Sequence, residues 1–143
     1  MVDEIRVVRL LRAADGSVQS LRLEQTASSD RRSDPLWLPG IKYLFICAVE
    51  ACIDIAQHIC STDASTAPGD NGDAMRILGS RRVIDPGNAE RMRMAVGFRN
   101  VLVREYVGVD DAIVIHRLAD LSDLEAFIGQ VGKWLARAAS PDT

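Results

Sequence analysis

The sequence predicts an all-α protein, an up-and-down bundle of about five helices. Only five prolines occur in 143 residues, and no segment keeps the apolar–polar alternation that is typical of a strand. Apolar residues instead recur every three or four positions, as in helices that bury one face. Because the chain has the length of one domain, we assign residues 1–143 to a single helical domain.

Composition and charge exclude several classes of protein. The chain is 48% hydrophobic and 26% charged, which is close to the average for globular proteins and excludes a mostly disordered chain. No run approaches the roughly 18 uninterrupted apolar residues of a membrane-spanning helix. The first six residues include two acids and no apolar core, so they are not a signal peptide, and we expect a cytoplasmic protein.

The charge is unevenly distributed. The net charge is −3, yet residues 73–106 hold seven arginines and four acids. Such a basic stretch in an acidic protein is compatible with binding of phosphate or nucleic acid, and equally with a solvated face. Cys47, Cys52 and Cys60 have spacings that fit neither a metal motif nor a disulfide framework, so we expect buried thiols.

The first half of the chain predicts two helical regions. Residues 3–26 form either one helix with a weak point at Asp15-Gly16-Ser17 or two short helices, and residues 27–35 form a turn. The clearest helix covers about 38–60, where one apolar stripe runs along one side. Glu50 and Asp54 are stacked neighbours on the other side.

The second half contains recognisable helix boundaries. Residues 61–72 predict a flexible loop, and residues 73–80 a short helix. Asp85-Pro86 is a typical helix start, and this helix should reach about 106 or 107. A last region opens near residues 110–111, where Ser122 and Glu125 match a capping box, and residues 139–143 should fray.

The helix around residues 92–106 is unusual. Its apolar side chains point in nearly every direction, which predicts burial, yet Arg99 and Asn100 lie in its middle. A buried charge requires a carboxylate partner, a polar cleft or an anionic ligand, and Glu50 and Asp54 are the candidate partners. A structural ion pair and a functional role both remain open on these grounds.

The same segment resembles a family signature. The run from Gly97 to Tyr106 is similar to the motif of HepT-type toxins of the HEPN superfamily, in which an arginine is followed by four residues, a histidine, one residue and a tyrosine. Residues 50–59 also resemble the second helix of that family. The two segments stand in the family's order, and the resemblance covers most of residues 36–135.

The resemblance implies a homodimer that cleaves RNA in a cleft between subunits without a metal or cofactor of its own. Arg99, with Asn100 beside it, would stabilise charge on the phosphoryl oxygens. From the helix faces, we expect Glu50 and Asp54 either to orient Arg99 or to line the cleft, with Glu105 as a further polar residue there. The motif histidine would transfer protons between the reacting oxygens.

The resemblance also implies a partner. HepT-type toxins are controlled by a minimal nucleotidyltransferase antitoxin, which uses ATP with Mg²⁺ to transfer AMP onto the motif tyrosine, here Tyr106. The added phosphates would block the cleft by charge and by size. The chain would then be the toxin component of a toxin–antitoxin system.

One position departs from the motif, because Arg104 stands where the family has histidine. Arginine does not release its proton near pH 7, so it cannot act as a general base. The chain is therefore a natural variant that cuts poorly, an inactivated form, or an enzyme in which another group takes the proton. Of the two histidines, we expect His58 near a helix end, facing a terminal carbonyl or solvent, and His116 in the core or at a cap.

Two other classes of function remain open. The chain could be a non-catalytic helical module that recognises the nucleotidyltransferase or a nucleotide through the same cleft. It could also be a dimeric structural bundle in which Arg99 only pairs with Glu50 or Asp54.

Overall fold

The computed structural model describes residues 2–63, 66–105 and 108–139, and within these ranges the chain forms seven helices and no strands. The helices are α1 (Glu4–Glu24), α2 (Ser29–Arg32), α3 (Trp37–Thr62), α4 (Asn71–Ser80), α5 (Pro86–Arg104), α6 (Asp111–Ala119) and α7 (Ser122–Ala139). The all-α class is confirmed. The predicted number of about five is too low because a single turn, α2, forms within the polar segment 27–35 and residues 111–119 form α6.

The central element is α3, which packs against each of the other described helices. Its buried stripe includes Ile41, Phe45, Cys52, Ile55 and Ile59. By length and composition alone, α3 could also cross a membrane, but 56% of its most apolar stretch is buried inside the bundle. The apolar character of α3 is thus explained by its place in the core.

Two contacts show that α1 runs antiparallel to α3. At one end, the backbone N–H of Asp3 donates to Nε2 of His58 at 3.0 Å. At the other end, Nε1 of Trp37 donates to Glu24 at 2.8 Å. Because α1 is continuous through Gly16, it is one helix and not two. The prediction for His58 was wrong, since its partner is the N-terminal backbone of α1.

Aspartate caps set most of the helix starts. Asp85 accepts from the backbone N–H of Asn88 at 2.7 Å, as expected for the predicted start of α5. The helix predicted at Ser122 also forms, but the capping box does not. Ser122 donates its hydroxyl to Asp120, and Glu125 pairs with Arg22 of α1.

The cysteines are free thiols at different depths. Cys52 and Cys60 are buried, and burial raises the pKa of both thiols. Cys47 is half-buried on the outer side of α3. The expectation of packing residues therefore holds for Cys52 and Cys60, and Cys47 lies at the edge of the core.

Two glycines in helices should respond to alanine in opposite directions. A Cβ at Gly79 would lie 2.6 Å from the Cβ of Ala89, a contact that neither helix can relieve without moving. We expect Gly79→Ala to lower the free energy of unfolding by about 1–3 kcal/mol. A Cβ at Gly16 meets nothing within 4 Å, so Gly16→Ala should raise it by about 0.5–1 kcal/mol.

Urea denaturation of the two variants and the parent chain measures this difference. Equal effects of the two substitutions would contradict the close packing of α4 against α5.

Candidate functional site

An aromatic contact anchors α5 beside α3. Near the C-terminal end of α5, Phe98 packs edge-on against Phe45 of α3, with ring centroids 5.3 Å apart and planes at 89°. The guanidinium of Arg117 lies over the Phe98 ring, 5.1 Å from its centroid. Arg99, the next residue of α5, is thereby held at the surface of α3.

Arg99 makes an ion pair across this helix contact. Its Nη2 donates to Oε1 of Glu50 at 2.6 Å, and its Nη1 donates to Oδ1 of Asn100 at 3.0 Å. The arginine side chain is 19% exposed and the glutamate side chain 49%, so the pair lies at the rim of the core. The Nε–H is enclosed and has no hydrogen-bond partner among the described residues. A buried donor without a partner costs about 1–3 kcal/mol.

The two acids that the helix spacing placed together have different surroundings. Glu50 contacts Arg99, whereas Asp54, one turn further along α3, is exposed and lines a surface recess of about 360 Å³ with Arg6 and His58. Glu50 and Asp54 share one face of α3, so the spacing alone could not show which of them pairs with Arg99. The partner is determined by the position along α3 at which α5 crosses it. The structure brings Glu50 to Arg99 and leaves Asp54 apart.

The remaining motif residues lie at the end of α5. Arg104 is its last residue and is exposed, as is Glu105, whose backbone N–H donates to the carbonyl of Val101 at 2.8 Å. Arg104 is five positions after Arg99, which places it about 140° around the helix. The two arginines therefore point from different faces of α5. Tyr106 lies outside the described residues.

The prediction that α5 is buried on all sides was wrong for the single chain. Met94 and Val101, seven positions apart on one face, are 59% and 43% exposed. On α3, Tyr43 is 65% exposed, and its hydrogen bond with Cys47 raises the pKa of Tyr43. Both helices of the candidate site thus present uncovered apolar side chains.

A second polar pocket, of about 250 Å³, lies between α5, α6 and α7. Its lining consists of Arg91, Met94, His116, Arg117, Asp120 and Asp123. Its charges are largely compensated within the fold, since Arg117 pairs with Asp123 at 3.3 Å and Arg91 donates to the hydroxyl of Ser122. His116 is exposed at this pocket in the last turn of α6, which excludes the core alternative of the prediction and leaves it near a helix end.

The pKa values of the two acids of this pocket are shifted in opposite directions. Burial raises the pKa of Asp123, although the backbone N–H of Leu124 and the cation of Arg117 oppose this effect. Hydrogen bonds from Ser122 lower the pKa of Asp120. Only the buried carboxyl is therefore more costly to ionise in the folded chain than in the unfolded chain.

This raised pKa predicts a specific pH dependence. A carboxyl whose pKa is higher in the folded state makes the fold less stable as the pH rises from the unfolded pKa through the folded one. On acidification across that window, the parent chain should therefore gain stability relative to Asp123→Asn. Urea unfolding of both chains over an acidic pH series measures this difference in the free energy of unfolding. If the parent chain instead gained stability relative to Asp123→Asn as the pH is raised, the burial of this carboxylate would be contradicted.

The fold defines the class of protein, an all-α bundle of the kind found in solved toxin–antitoxin structures. It superposes with a TM-score of 0.81 on a chain of a toxin–antitoxin structure with AMP-PNP, at 22% identity, over 90% of this chain and 98% of the other. A tri-AMPylated HEPN toxin from Shewanella oneidensis, in complex with an MNT antitoxin, gives 0.81 at 22% identity, over 93% and 99%. A cytosolic protein of unknown function from Bacillus subtilis, YutE, gives 0.80 at 19% identity, over 98% and 95%.

Sequence comparison identifies the family. A family model described as Ribonuclease HepT-like matches residues 13–131, and the chain therefore belongs to the HepT-like family. The mRNA nuclease HepT of Shewanella oneidensis is 34% identical over 80 residues. That match spans 55% of this chain and 60% of the relative, less than two thirds of the relative's length.

Sequence reasoning missed the parts of the site that depend on contacts between helices. The helical spacing places Phe45 on the apolar stripe of α3, but it gives no signal for the contact of Phe45 with Phe98. Asn100 was singled out beside Arg99, but its role as the second acceptor for the guanidinium could not be read from adjacency, because neighbours on a helix point about 100° apart.

Proposed function

We propose that this chain is the toxin component of a toxin–antitoxin system and a homodimeric, metal-independent endoribonuclease by descent. The observation that carries the proposal is the state of Arg99. Its guanidinium is mostly buried, is oriented by Glu50 and Asn100, and keeps an enclosed Nε–H that no described residue accepts. In a HepT-like chain, the remaining N–H groups of the two terminal nitrogens are the donors that an anionic phosphoryl oxygen at the rim would accept from.

The reaction requires two proton movements and one stabilised charge. The 2′-hydroxyl of RNA loses its proton and attacks the adjacent phosphorus, the bond to the 5′-oxygen breaks, and that oxygen gains a proton. A cyclic phosphate and a free 5′-hydroxyl result. Arg99 would stabilise the charge that builds on the phosphoryl oxygens, and Glu50 would act as its positioning residue.

Arg104 limits this chemistry. It occupies the position that the family motif gives to histidine, and its guanidinium keeps its proton near neutral pH. It can attract phosphate, but it can neither accept the 2′-proton nor readily donate one to the leaving oxygen. We therefore expect slow or absent cleavage by this chain, with binding of RNA retained.

Restoring histidine tests the assignment. Arg104→His should raise the rate of RNA cleavage by about 10²–10⁴-fold, the usual contribution of one general acid–base group. Arg93→His is the matched control, because Arg93 is also an exposed arginine of α5 and should give no gain. The proposal fails if the parent chain already cuts at the rate of an intact enzyme and Arg104→Ala leaves that rate unchanged.

A homodimer would resolve the geometry of the two arginines. Arg99 and Arg104 leave α5 from different faces, so either the helix end or a second copy would have to bring an Arg104 next to an Arg99. The exposed side chains of Met94, Val101 and Tyr43 lie on the two helices that such a contact would cover. The proposed active cleft therefore includes residues from both subunits.

The proposed control is nucleotidyl transfer by a partner antitoxin. The hydroxyl oxygen of Tyr106 would attack the α-phosphorus of ATP, forming a phosphodiester to AMP and releasing pyrophosphate, with Mg²⁺ bound by the partner. The modified tyrosine is seven positions after Arg99 in the sequence. Its negative charge would compete with RNA for the same cation.

Intact mass tests this control. After incubation with the nucleotidyltransferase, ATP and Mg²⁺, the chain should gain mass in steps of one AMP, and Tyr106→Phe should gain none. No gain, with a partner that is active on a histidine-containing relative, would remove this chain from the toxin–antitoxin proposal.

A second function is favoured by Arg104 itself. A chain that cannot move the proton but keeps the Arg99 site would serve as a non-catalytic module that binds the nucleotidyltransferase or a nucleotide. This second function would be supported if the parent chain binds the nucleotidyltransferase or a nucleotide, Arg99→Ala does not, and Arg104→His cleaves no RNA. For either function we propose a cytoplasmic location.

A further inference from the structure

A separate basic recess lies at the other end of α5. It has a volume of about 240 Å³ and is formed by the turn between α4 and α5 and by the C-terminal half of α7. Its lining consists of Arg82, Val83, Ile84, Asp85, Gln130, Lys133 and Arg137. Three cations thus face one carboxylate in a chain whose net charge is −3.

The single carboxylate of the recess is already engaged. Asp85 accepts from the backbone N–H of Asn88 at 2.7 Å and from the side-chain amide of Gln130 at 2.6 Å. Gln130 in turn accepts from the backbone N–H of Asp85 at 2.8 Å. Neither Arg82 nor Lys133 makes a side-chain hydrogen bond or ion pair with a described residue. The recess therefore keeps uncompensated positive charge.

The backbone of Arg82 is held in a costly conformation. Its φ is 61°, and it is the described non-glycine residue with a positive φ. The N–H of Arg82 bonds the carbonyl of Gly79, and the N–H of Val83 bonds that of Leu78, which is the Schellman arrangement that ends a helix. Glycine is the usual residue at this position, because an L side chain there costs roughly 1 kcal/mol. The chain keeps an arginine where glycine would fold better.

We propose that this recess binds the phosphate backbone of the RNA, apart from the Arg99 site. Arg82 and Lys133 are the phosphate-binding cations. The inference rests on the proposed function, since it assigns a second contact to the same substrate class. The start of α5 lies about 20 Å from Arg99 along the helix axis, a distance that a few nucleotides of one strand can span.

The surface favours RNA over a protein partner. The apolar residues of the recess, Val83 and Ile84, are buried at 3% and 1% exposure and offer nothing to a docking protein. Protein interfaces use a buried apolar centre and are depleted in lysine. Contacts to nucleic-acid backbones instead rely on exposed lysine and arginine without an apolar centre.

The test measures binding of a single-stranded, 2′-O-methylated RNA oligonucleotide that cannot be cleaved, over a salt series. The variant Arg82→Gly/Lys133→Gln should lose about tenfold or more in affinity and lower the slope of log K against log salt by about 1.4. The matched control, Arg9→Gln/Arg12→Gln, removes two exposed arginines of α1. It should leave the affinity and the salt slope unchanged.

The strained backbone gives the test a second readout. Arg82→Gly alone should raise the thermal midpoint by a few degrees while it weakens RNA binding, since the cation is lost as the strain is relieved. Arg82→Lys should keep most of the affinity without the gain in stability. Weaker binding in the glycine variant thus cannot be attributed to unfolding.

Three results would overturn the inference. If the double variant binds RNA as well as the parent chain while Arg99→Gln does not, the recess is not used but the proposed function stands. If it loses the nucleotidyltransferase and keeps RNA, the recess belongs to the protein partner. If the parent chain binds no RNA, both the inference and the RNA part of the proposed function fail.

Discussion

The candidate site depends on the ion pair between Arg99 of α5 and Glu50 of α3, at the rim of the core. The pair can form because Phe98 and Phe45 pack directly beside it and fix the crossing of the two helices. A half-exposed pair of this kind contributes little to stability, roughly 0–1 kcal/mol. Nε of Arg99 also lacks a partner among the described residues. The ion pair is therefore better suited to orienting a guanidinium that can bind an anion than to stabilising the bundle.

The rest of the bundle positions this cation. α3 packs against every other described helix, so the height of Glu50 is set by the whole core. α5 begins at the cap of Asp85 and ends at Arg104, and its outer face remains apolar and open. The single chain thus presents an oriented guanidinium at the rim of the core, an exposed arginine at the end of α5, and uncovered apolar side chains on α5.

The sequence was sufficient for what depends on local pattern. It predicted the helical class and the start of α5 at Asp85, and it named Glu50 and Asp54 as candidate partners of Arg99, because caps and helical periodicity act over a few residues. It could not show which of Glu50 and Asp54 pairs with Arg99, or that one face of α5 is exposed, because both outcomes depend on how the helices cross. The basic recess was equally hidden, since Arg82 and Lys133 are distant in sequence and meet only through the packing of α7.

The most direct measurement of the central claim is the effect of Arg99→Met on two quantities, the free energy of unfolding and the affinity for a non-cleavable RNA oligonucleotide. If Arg99 is a functional cation, methionine removes an enclosed unsatisfied donor and should leave stability within about 1 kcal/mol of the parent chain or raise it. RNA affinity should fall about tenfold or more. A loss of about 3 kcal/mol or more with unchanged RNA affinity would show a structural ion pair and contradict the account.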